Sequence, residues 1–256
     1  MKPETISTHL FTESGLRDLN RFVGPKTLFA FDLDGTLAPI TSDPRAIRIP
    51  EKISKGLTRL REQAVVAIIT GRSRNDAQSH LGFVPHFLIG NHGAEGLPGW
   101  QEQEKFFSEI SSAWEWQLRD LIPPEKNPEI CIENKGTTLS IHYRSAPNKR
   151  QTRVFLLRSI EKLMPKPRRI PGKCVENLLP LTAPDKGKAI NYLLDMAEFL
   201  MGIYVGDDTT DEEVFRLDGD RLLTIRIGSG GESRARYRLK NQAEFAKLLE
   251  EINGRL

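Results

Sequence analysis

The sequence of 256 residues has little excess charge, few cysteines and no long apolar run. With 37 basic and 34 acidic residues, its net charge of +3 gives no indication of a nucleic-acid or membrane partner. Two cysteines do not make a disulfide framework, so a reducing compartment is expected. No apolar run approaches the ~20 residues of a membrane span, and the N-terminal segment lacks the apolar core of a signal peptide. A cytoplasmic location is therefore expected. The oligomeric state is not encoded in any visible feature, and a monomer is favoured.

Apolar strands and amphipathic helices alternate near both ends of the chain. Residues 27–34 and 64–72 have the composition of buried strands, and residues 51–62 between them carry apolar side chains at helical spacing. This strand–helix–strand order implies a parallel pair of strands with a right-handed crossover. The alternation returns at residues 186–200 (helix), 202–205 (strand) and 222–227, which is expected to be the last strand.

The middle of the chain follows a different pattern. Its candidate elements are a long helix at 101–122, strands at 129–134 and 137–144, a helix at 149–163 and a strand at 173–179. This α-β-β-α-β order predicts a small sheet with helices on one face. The predicted fold class is therefore α/β, with a Rossmann-like parallel-sheet core (residues 1–97 and 182–256) and an inserted smaller α+β domain (residues 98–181).

Polar residues follow three of the predicted core strands. They are Asp32 and Asp34, then Thr70, then Asp207, Asp208 and Asp211. Because the carboxyl ends of parallel strands meet at one edge of a sheet, these side chains are expected to converge. Each piece alone has a simpler interpretation, since an aspartate after a strand is most often a turn former or helix cap. Together they favour a site where a cation joins the carboxylates, and Mg²⁺ with a phosphate suits such oxygen ligands.

The motifs DLDGTL, ITGR, DKG and GDDTTDE occur in an order that resembles the haloacid-dehalogenase superfamily of aspartyl-phosphate hydrolases. Longer segments resemble the trehalose-6-phosphate phosphatases within it: FDLDGTLAPI, GNHGAE, ENKGTTLSIHYRSAP, GDDTTDEEVF and IRIGSG. The similarity runs from about residue 28 to residue 240 and includes part of the inserted segment. It implies a phosphatase that hydrolyses trehalose 6-phosphate through an aspartyl-phosphate intermediate.

The resemblance also implies catalytic roles for individual residues. Asp32 would be the nucleophile, and Asp34 would protonate the leaving sugar oxygen and then activate water. The Thr70 hydroxyl and the Gly71 amide would hold the phosphoryl oxygens, while Lys186 neutralises their charge. Asp208 would orient Lys186 or a metal-bound water. The implied cofactor is Mg²⁺, held by Asp32, the main-chain carbonyl of Asp34, and Asp207.

Substrate-binding residues are implied in both parts of the chain. His142 and Arg144 lie two apart on one predicted strand and would therefore face the same side. The pattern alone is also typical of a solvated sheet face; the resemblance favours a sugar clamp. The implied substrate contacts are Gly71, Arg72, His92, Glu95, Lys135, His142, Arg144, Glu176 and Asn177. Trp114 and Trp116 cannot share one helix face, so one of them is expected in the core.

One segment departs from the family pattern, which has Glu-x-(Lys/Arg)-Pro before the motif lysine. Asn177 stands in the glutamate position and Leu179 in the basic position. The adjacent Glu176 would face the opposite side of the strand unless a bulge re-aims it. The departure keeps open the same chemistry on another phosphorylated sugar or glycoside, such as glucosylglycerol phosphate. A non-catalytic sugar-phosphate sensor is the third hypothesis, and the intact catalytic set argues against it.

Overall fold

The computed structural model describes residues 8–41, 43–196, 199–217, 219–228 and 230–256. These residues divide into two compact units, one comprising the residues up to 97 with 184–256 and the other residues 98–183. The sequence predicts that the inserted domain ends between residues 181 and 182. In chain order the strands are β1 (Thr8–His9), β2 (Thr27–Phe31), β3 (Val65–Ile69), β4 (Phe87–Ile89), β5 (Cys131–Asn134), β6 (Leu139–His142), β7 (Pro167–Gly172), β8 (Val175–Pro180), β9 (Met201–Gly206), β10 (Leu222–Ile227) and β11 (Tyr237–Leu239). The α-helices are α1 (Glu13–Phe22), α2 (Glu51–Gln63), α3 (Arg74–Leu81), α4 (Gln101–Leu121), α5 (Lys149–Ile160), α6 (Lys186–Met196), α7 (Glu212–Phe215) and α8 (Gln242–Asn253).

The first unit contains a parallel seven-stranded sheet in the order β1-β11-β10-β9-β2-β3-β4. All five residues of β2 are buried, as the unbroken apolar run predicts for a strand covered on both faces. Its main apolar core includes Phe29 and Phe31 from β2 and Phe245 from α8. The predicted α/β fold class is confirmed by this sheet together with the separate antiparallel sheet of the second unit.

The prediction that residues 222–227 form the last strand is wrong. The short strand β11 pairs with β10, and β1 adds to it at the sheet edge. β1 has only two residues and β11 three, too few for alternation of apolar and polar residues to stand out. The predicted helix over 186–200 is described as far as Met196; residues 197 and 198 lie outside the described residues. Ser229 of the IRIGSG segment lies outside them as well.

The second unit contains an antiparallel sheet in the order β5-β6-β8-β7. Its core joins Trp114 of α4 and Leu156 of α5 to Ile141 and Leu178 of the sheet. Strand β7 was not predicted, because its sequence PRRIPG contains two prolines. β7 lies at the edge of the sheet, where a residue without an N–H is tolerated.

The two tryptophans of α4 separate as their spacing requires. Trp114 is fully buried, and its Nε1–H donates to the carbonyl of Pro165 at 2.6 Å. Trp116 is 74% exposed. The expectation that one of the two is a core residue is therefore met by Trp114. Over the described residues, no helix combines the length and apolar character needed to cross a membrane.

Candidate active site

Four neighbouring strands of the parallel sheet deliver polar residues to one edge. The strands β9, β2, β3 and β4 are adjacent, and they are followed directly by Asp207, Asp32, Thr70 and the turn that contains His92. The main chain joins these segments, since Asp32 N–H donates to the carbonyl of Val205 and His92 N–H donates to the carbonyl of Thr70. The sheet thus brings together residues that are up to 175 positions apart in sequence.

Lys186 lies at the centre of this edge. Its ammonium donates to Asp32 Oδ1 at 2.8 Å and to Asp211 Oδ1 at 2.7 Å. All three side chains are almost completely buried. Lys186 is positioned at the start of α6, where its own N–H donates to Glu213 Oε2 at 3.2 Å.

Asp211 anchors this part of the site, and the sequence-based assignment of catalytic residues omitted it. Its Oδ1 also accepts from the Tyr204 hydroxyl at 2.6 Å, and its Oδ2 accepts from the N–H groups of Asp207 and Asp208 at 2.8 and 2.9 Å. Asp208 and Asp211 form a capping box, in which the side chain of each accepts a main-chain N–H from the other end of the turn. The sequence GDDTTDE could have indicated it, because an acidic residue follows the helix cap by three positions.

The prediction that Asp208 orients Lys186 is corrected by the same contacts. Asp208 Oδ1 accepts from the Thr209 N–H at 2.6 Å and so caps the short helical turn that follows. The acidic partner of Lys186 from this segment is Asp211 instead. The other predicted role of Asp208, orienting a metal-bound water, stays a prediction.

Burial dominates the electrostatics of this cluster. It raises the pKa of Asp32 well above its usual value, against the opposing effect of Lys186 and with a further increase from Asp211 and Asp207. Burial and the Asp211 carboxylate likewise raise the pKa of Asp207 to about 7. Burial lowers the pKa of Lys186, but Asp211 and Asp32 outweigh it and raise that pKa above its usual value. When they are ionised, the carboxylates of Asp32, Asp207 and Asp211 face the single ammonium of Lys186. The cluster then carries an excess of negative charge.

This excess fits a divalent metal ion. Carboxylate oxygens of Asp32, Asp207 and Asp211 lie within 4.8 Å of one another. Both Asp211 oxygens already accept two hydrogen bonds each, which leaves Asp32 and Asp207 as the better placed ligands. Asp207 Oδ1 is oriented by the Thr36 hydroxyl at 3.1 Å. Hard oxygen donors with a deficit of positive charge suit a hard divalent cation.

Gly35 makes room for the Asp207 carboxylate. Its φ is +83°, in the left-handed region that favours glycine. A Cβ added at this position would lie 2.1 Å from Asp207 Oδ2. The glycine in DLDG is therefore required both by the backbone conformation and by the close approach of a proposed metal ligand.

The Asp34 side chain is held by Arg72 and not by the buried cluster. Arg72 Nε and one terminal nitrogen donate to the two Asp34 oxygens at 2.7 and 2.8 Å. The other terminal nitrogen donates to Asp76 Oδ2 at 2.7 Å. Arg72 forms ion pairs with both of these carboxylates. Its predicted contact with substrate stays a prediction. The metal-binding role of the Asp34 main-chain carbonyl stays a prediction.

Thr70 and Gly71 lie at the end of β3, next to the ring of His92. Thr70 Oγ1 accepts from the Arg72 N–H at 3.2 Å, so its own hydrogen can point to a bound group. A Cβ on Gly71 would lie 2.4 Å from the His92 ring, which explains the glycine. His92 has a left-handed backbone with φ of 59°. Such a conformation at a non-glycine residue is typical of functional turns.

Glu95 stabilises the turn after β4. Its Oε2 accepts from the Arg74 N–H at 2.9 Å and from the Asn91 side-chain amide at 3.0 Å. These bonds tie the turn to the first residue of α3. In this structure Glu95 Oε2 therefore stabilises the turn. The predicted contact of Glu95 with substrate stays a prediction.

Three predicted sugar contacts of the second unit lie on or near the β5–β6 hairpin. His142 Nε2 and Glu133 Oε2 are 2.8 Å apart. Lys135 is in the hairpin turn, where its N–H donates to the Thr138 carbonyl. Arg144 is exposed and lies beyond the end of β6, so the same-face argument for His142 and Arg144 does not apply to Arg144. Their contact with a sugar stays a prediction.

Glu176 and Asn177 face opposite sides of β8. Residues 175–178 pair one for one with both neighbouring strands, so the bulge that could re-aim Glu176 is not formed. Glu176 is fully buried and accepts from Arg153 Nε at 2.8 Å, with Arg169 at 3.8 Å. Its predicted role in substrate binding is therefore corrected: it attaches α5 to the sheet. Asn177 accepts from the Ser140 hydroxyl at 2.7 Å on the other face.

This chain is similar to known proteins both in sequence and in fold. The profile of the family described as Trehalose-phosphatase matches residues 30–230. The Escherichia coli K12 trehalose-6-phosphate phosphatase is 31% identical, over 90% of this chain and 88% of its own length. The probable trehalose-phosphate phosphatase E of Arabidopsis thaliana is 27% identical, over 91% of this chain and 72% of its own. The C-terminal domain of the C. albicans trehalose-6-phosphate phosphatase superposes with a TM-score of 0.72 at 20% identity, covering 98% of this chain and 99% of that domain.

Proposed function

Since the chain belongs to the trehalose-phosphatase family, we propose that it is a Mg²⁺-dependent phosphatase that hydrolyses trehalose 6-phosphate to trehalose and inorganic phosphate. The observation that carries the proposal is the buried Asp32 at the sheet edge, with one oxygen 2.8 Å from Lys186 and a second carboxylate, Asp207, beside it. A carboxylate so placed can act as a nucleophile, because the charge that develops on a phosphoryl group is met by an ammonium held in advance.

Asp32 attacks the phosphorus, and the bond from phosphorus to the sugar oxygen breaks as the new bond to the Asp32 carboxylate forms. Asp34 gives its proton to the departing sugar oxygen. Asp34 then removes a proton from a water molecule, whose oxygen attacks the phosphorus and releases Asp32 and inorganic phosphate. The Thr70 hydroxyl and the Gly71 amide hold the phosphoryl oxygens during both steps.

Asp32 and Asp207 would hold the metal, with the Asp34 carbonyl as a third protein ligand. When bound, Mg²⁺ would neutralise the negative charge that the nucleophile and the phosphoryl group bring into the site. The excess of carboxylates over ammonium groups in the buried cluster supports this assignment. Lys186 supplies the fixed positive charge of the site and is itself kept in place by Asp211.

The second unit is proposed to select the sugar. Lys135, His142, Arg144 and Asn177 offer hydrogen-bonding groups suited to a substrate rich in hydroxyls, and His92 would contribute from the first unit. Asn177 is already oriented by Ser140, which supports a defined polar contact at the position where the family pattern has a glutamate. A cytoplasmic location and a monomer complete the proposal.

Relative turnover of phosphorylated sugars tests the substrate. We expect kcat/KM for trehalose 6-phosphate to exceed that for glucose 6-phosphate by at least ~100-fold, since a site built to hydrogen-bond the second sugar loses that binding energy with the smaller substrate. Glucosylglycerol phosphate is the matched comparison for the altered Asn177 and Leu179 segment. Turnover of trehalose 6-phosphate no faster than that of glucose 6-phosphate would show that the substrate assignment is wrong.

A further inference from the structure

The carboxylate of Asp34 is fixed from one side by a two-pronged contact. Arg72 Nε is 2.7 Å from Asp34 Oδ2, and an Arg72 terminal nitrogen is 2.8 Å from Asp34 Oδ1. A planar guanidinium that binds both oxygens of a carboxylate determines its rotation as well as its location. The orientation of Asp34 therefore depends on where the Arg72 side chain is held.

A second carboxylate holds Arg72 from the opposite end of its guanidinium. Asp76 Oδ2 accepts from the remaining terminal nitrogen at 2.7 Å. Arg72 is only 11% exposed, so this ion pair is screened less than a surface pair would be. Arg72, between two carboxylates, is thus kept in the plane that meets Asp34.

Asp76 is itself placed by the start of α3. Its N–H is capped by the Ser73 hydroxyl at 3.4 Å, which fixes the first turn of the helix. The ring of His80, one turn later, lies 3.5 Å from the other Asp76 oxygen. The Asp76 side chain is 44% exposed and points from the helix to Arg72. The buried cluster is formed by Lys186 with Asp32 and Asp211, so Asp76 is not a member of it.

We infer that Asp76 is a positioning residue for proton transfer: it holds Arg72, and Arg72 holds Asp34 in the orientation from which it protonates the leaving oxygen. The inference rests on the proposed function, in which Asp34 is the general acid. Asp76 touches neither substrate nor the reacting atoms in this mechanism. Its loss should therefore affect reactions in proportion to their need for a proton donor.

Comparing two substrates distinguishes a positioning role of Asp76 from general damage to the site. The two differ in whether their leaving group needs a proton. A sugar alkoxide is a poor leaving group and requires protonation, whereas p-nitrophenolate leaves without it. Because kcat/KM reports the free energy from free enzyme and substrate to the transition state of the first transfer, the ratio of kcat/KM for the two substrates measures the contribution of the acid. Loss of folding or of phosphate binding lowers both values together.

The test compares Asp76→Asn with the wild-type enzyme on trehalose 6-phosphate and p-nitrophenyl phosphate. General acid catalysis is worth ~10²–10⁴-fold, so a misdirected acid should lower kcat/KM for the sugar phosphate by about 10-fold or more and leave that for p-nitrophenyl phosphate within about 2-fold. Arg72→Lys, which keeps the charge but loses the fork, should also lower kcat/KM for the sugar phosphate by about 10-fold or more. Asn75→Ala, on the same turn of α3, is the matched control and should change neither value.

A double variant makes the test specific to Asp34. In an Asp34→Asn background, adding Asp76→Asn should produce no further loss on the sugar phosphate, because the group that Asp76 positions is gone. The inference would be overturned if Asp76→Asn lowered kcat/KM equally for both substrates or for neither. It would also be overturned if Asp76→Asn lowered kcat/KM for the sugar phosphate as much in the Asp34→Asn background as in the wild type. If Asp76→Asn does not fold, as judged by its thermal melt, Asp76→Ser decides the question by the same ratio.

Failure of the proposed function has a different signature. Wild-type enzyme that hydrolyses p-nitrophenyl phosphate and another sugar phosphate, but not trehalose 6-phosphate, would contradict the substrate and leave the ratio measurable on the accepted sugar phosphate. Wild-type enzyme with no activity on any phosphate monoester would contradict both proposals.

Discussion

Asp211 Oδ1 lies 2.7 Å from Lys186 Nζ, and both side chains are almost completely buried. The same aspartate accepts the Tyr204 hydroxyl and two main-chain N–H groups. The cation that faces the proposed nucleophile is therefore held by a residue with no predicted chemical role of its own. Removing its charge should affect stability and activity together.

In the wild type, the two carboxylate oxygens of Asp211 accept hydrogen bonds from four donors. In Asp211→Asn one of these oxygens becomes an NH₂ group, which cannot accept and would face the donors on its side. Breaking a buried ion pair in this way costs about 3–5 kcal/mol of unfolding free energy. Chemical denaturation should show this loss, and turnover should fall because Lys186 is no longer held beside Asp32. The matched control is Glu250→Gln, which breaks the exposed pair with Lys52 and should cost at most about 1 kcal/mol. Equal losses in the two variants would contradict the assignment of Asp211 as an anchor.

Gly35→Ala should disrupt the proposed metal site. The new Cβ would have to displace Asp207 Oδ2, which lies 2.1 Å from the position it would occupy. Affinity for Mg²⁺, measured by the concentration that gives half-maximal activity, should fall about 10-fold or more, as it does when a group that orients a ligand is lost.

Gly231→Ala controls for backbone strain alone. Gly231 also has a left-handed φ, +76°, but a Cβ there would meet no atom within 4 Å. This variant should lose stability without a change in Mg²⁺ affinity. The same loss of affinity in both variants would mean that strain, and not the clash with Asp207, is responsible.

The pKa of Asp207 predicts how metal and pH act together on stability. Burial raises this pKa from the ordinary 3.8 to about 7, so the folded protein binds the proton more tightly than the unfolded chain. Its contribution to stability is fully present below pH ~4 and is lost as the pH rises through about 7. A divalent cation competes with that proton and should therefore stabilise the folded protein more at pH 8 than at pH 5.

Thermal melts measure this directly. At 100 times its dissociation constant, Mg²⁺ should add about 2.7 kcal/mol at pH 8, which raises Tm by about 5–10 °C for a chain of this size. The increase at pH 5 should be smaller, and Asp207→Asn should reduce the difference between the two. An equal increase at both pH values would show that Mg²⁺ does not bind at this carboxylate.

The two tryptophans of α4 should differ in their effect on stability. Trp114 fills the core of the second unit, so Trp114→Ala should lower the free energy of unfolding by about 3–5 kcal/mol. Trp116 is largely exposed, and Trp116→Ala should change it by no more than about 0.5 kcal/mol. A large loss from Trp116→Ala would indicate that its face of α4 is covered in solution.

The convergence of Asp32, Thr70 and Asp207 could be predicted from the sequence because it follows from topology alone. Each residue comes directly after a buried strand, and parallel strands end at one edge. The partners of these residues could not be predicted in the same way. Whether Lys186 meets Asp208 or Asp211 depends on the rotation of a short helical turn, which the order of residues does not determine.

The second unit illustrates the same limit. Alternation along β8 predicted that Glu176 and Asn177 face opposite sides, and they do. It did not indicate which side is covered by α5, because that depends on packing between elements far apart in sequence. Arg153, 23 positions before Glu176, supplies the charge that allows this carboxylate to be buried.

Mg²⁺-dependent hydrolysis of trehalose 6-phosphate by Asp32 is the core of the proposed function. Its most direct measurement is phosphate release from trehalose 6-phosphate by the wild-type enzyme and by Asp32→Asn, each with Mg²⁺ and with a chelator in its place. We expect turnover only by the wild-type enzyme with Mg²⁺, with thermal melts showing that the variant remains folded. Turnover by Asp32→Asn close to that of the wild type, or wild-type turnover unchanged by the chelator, would contradict the account.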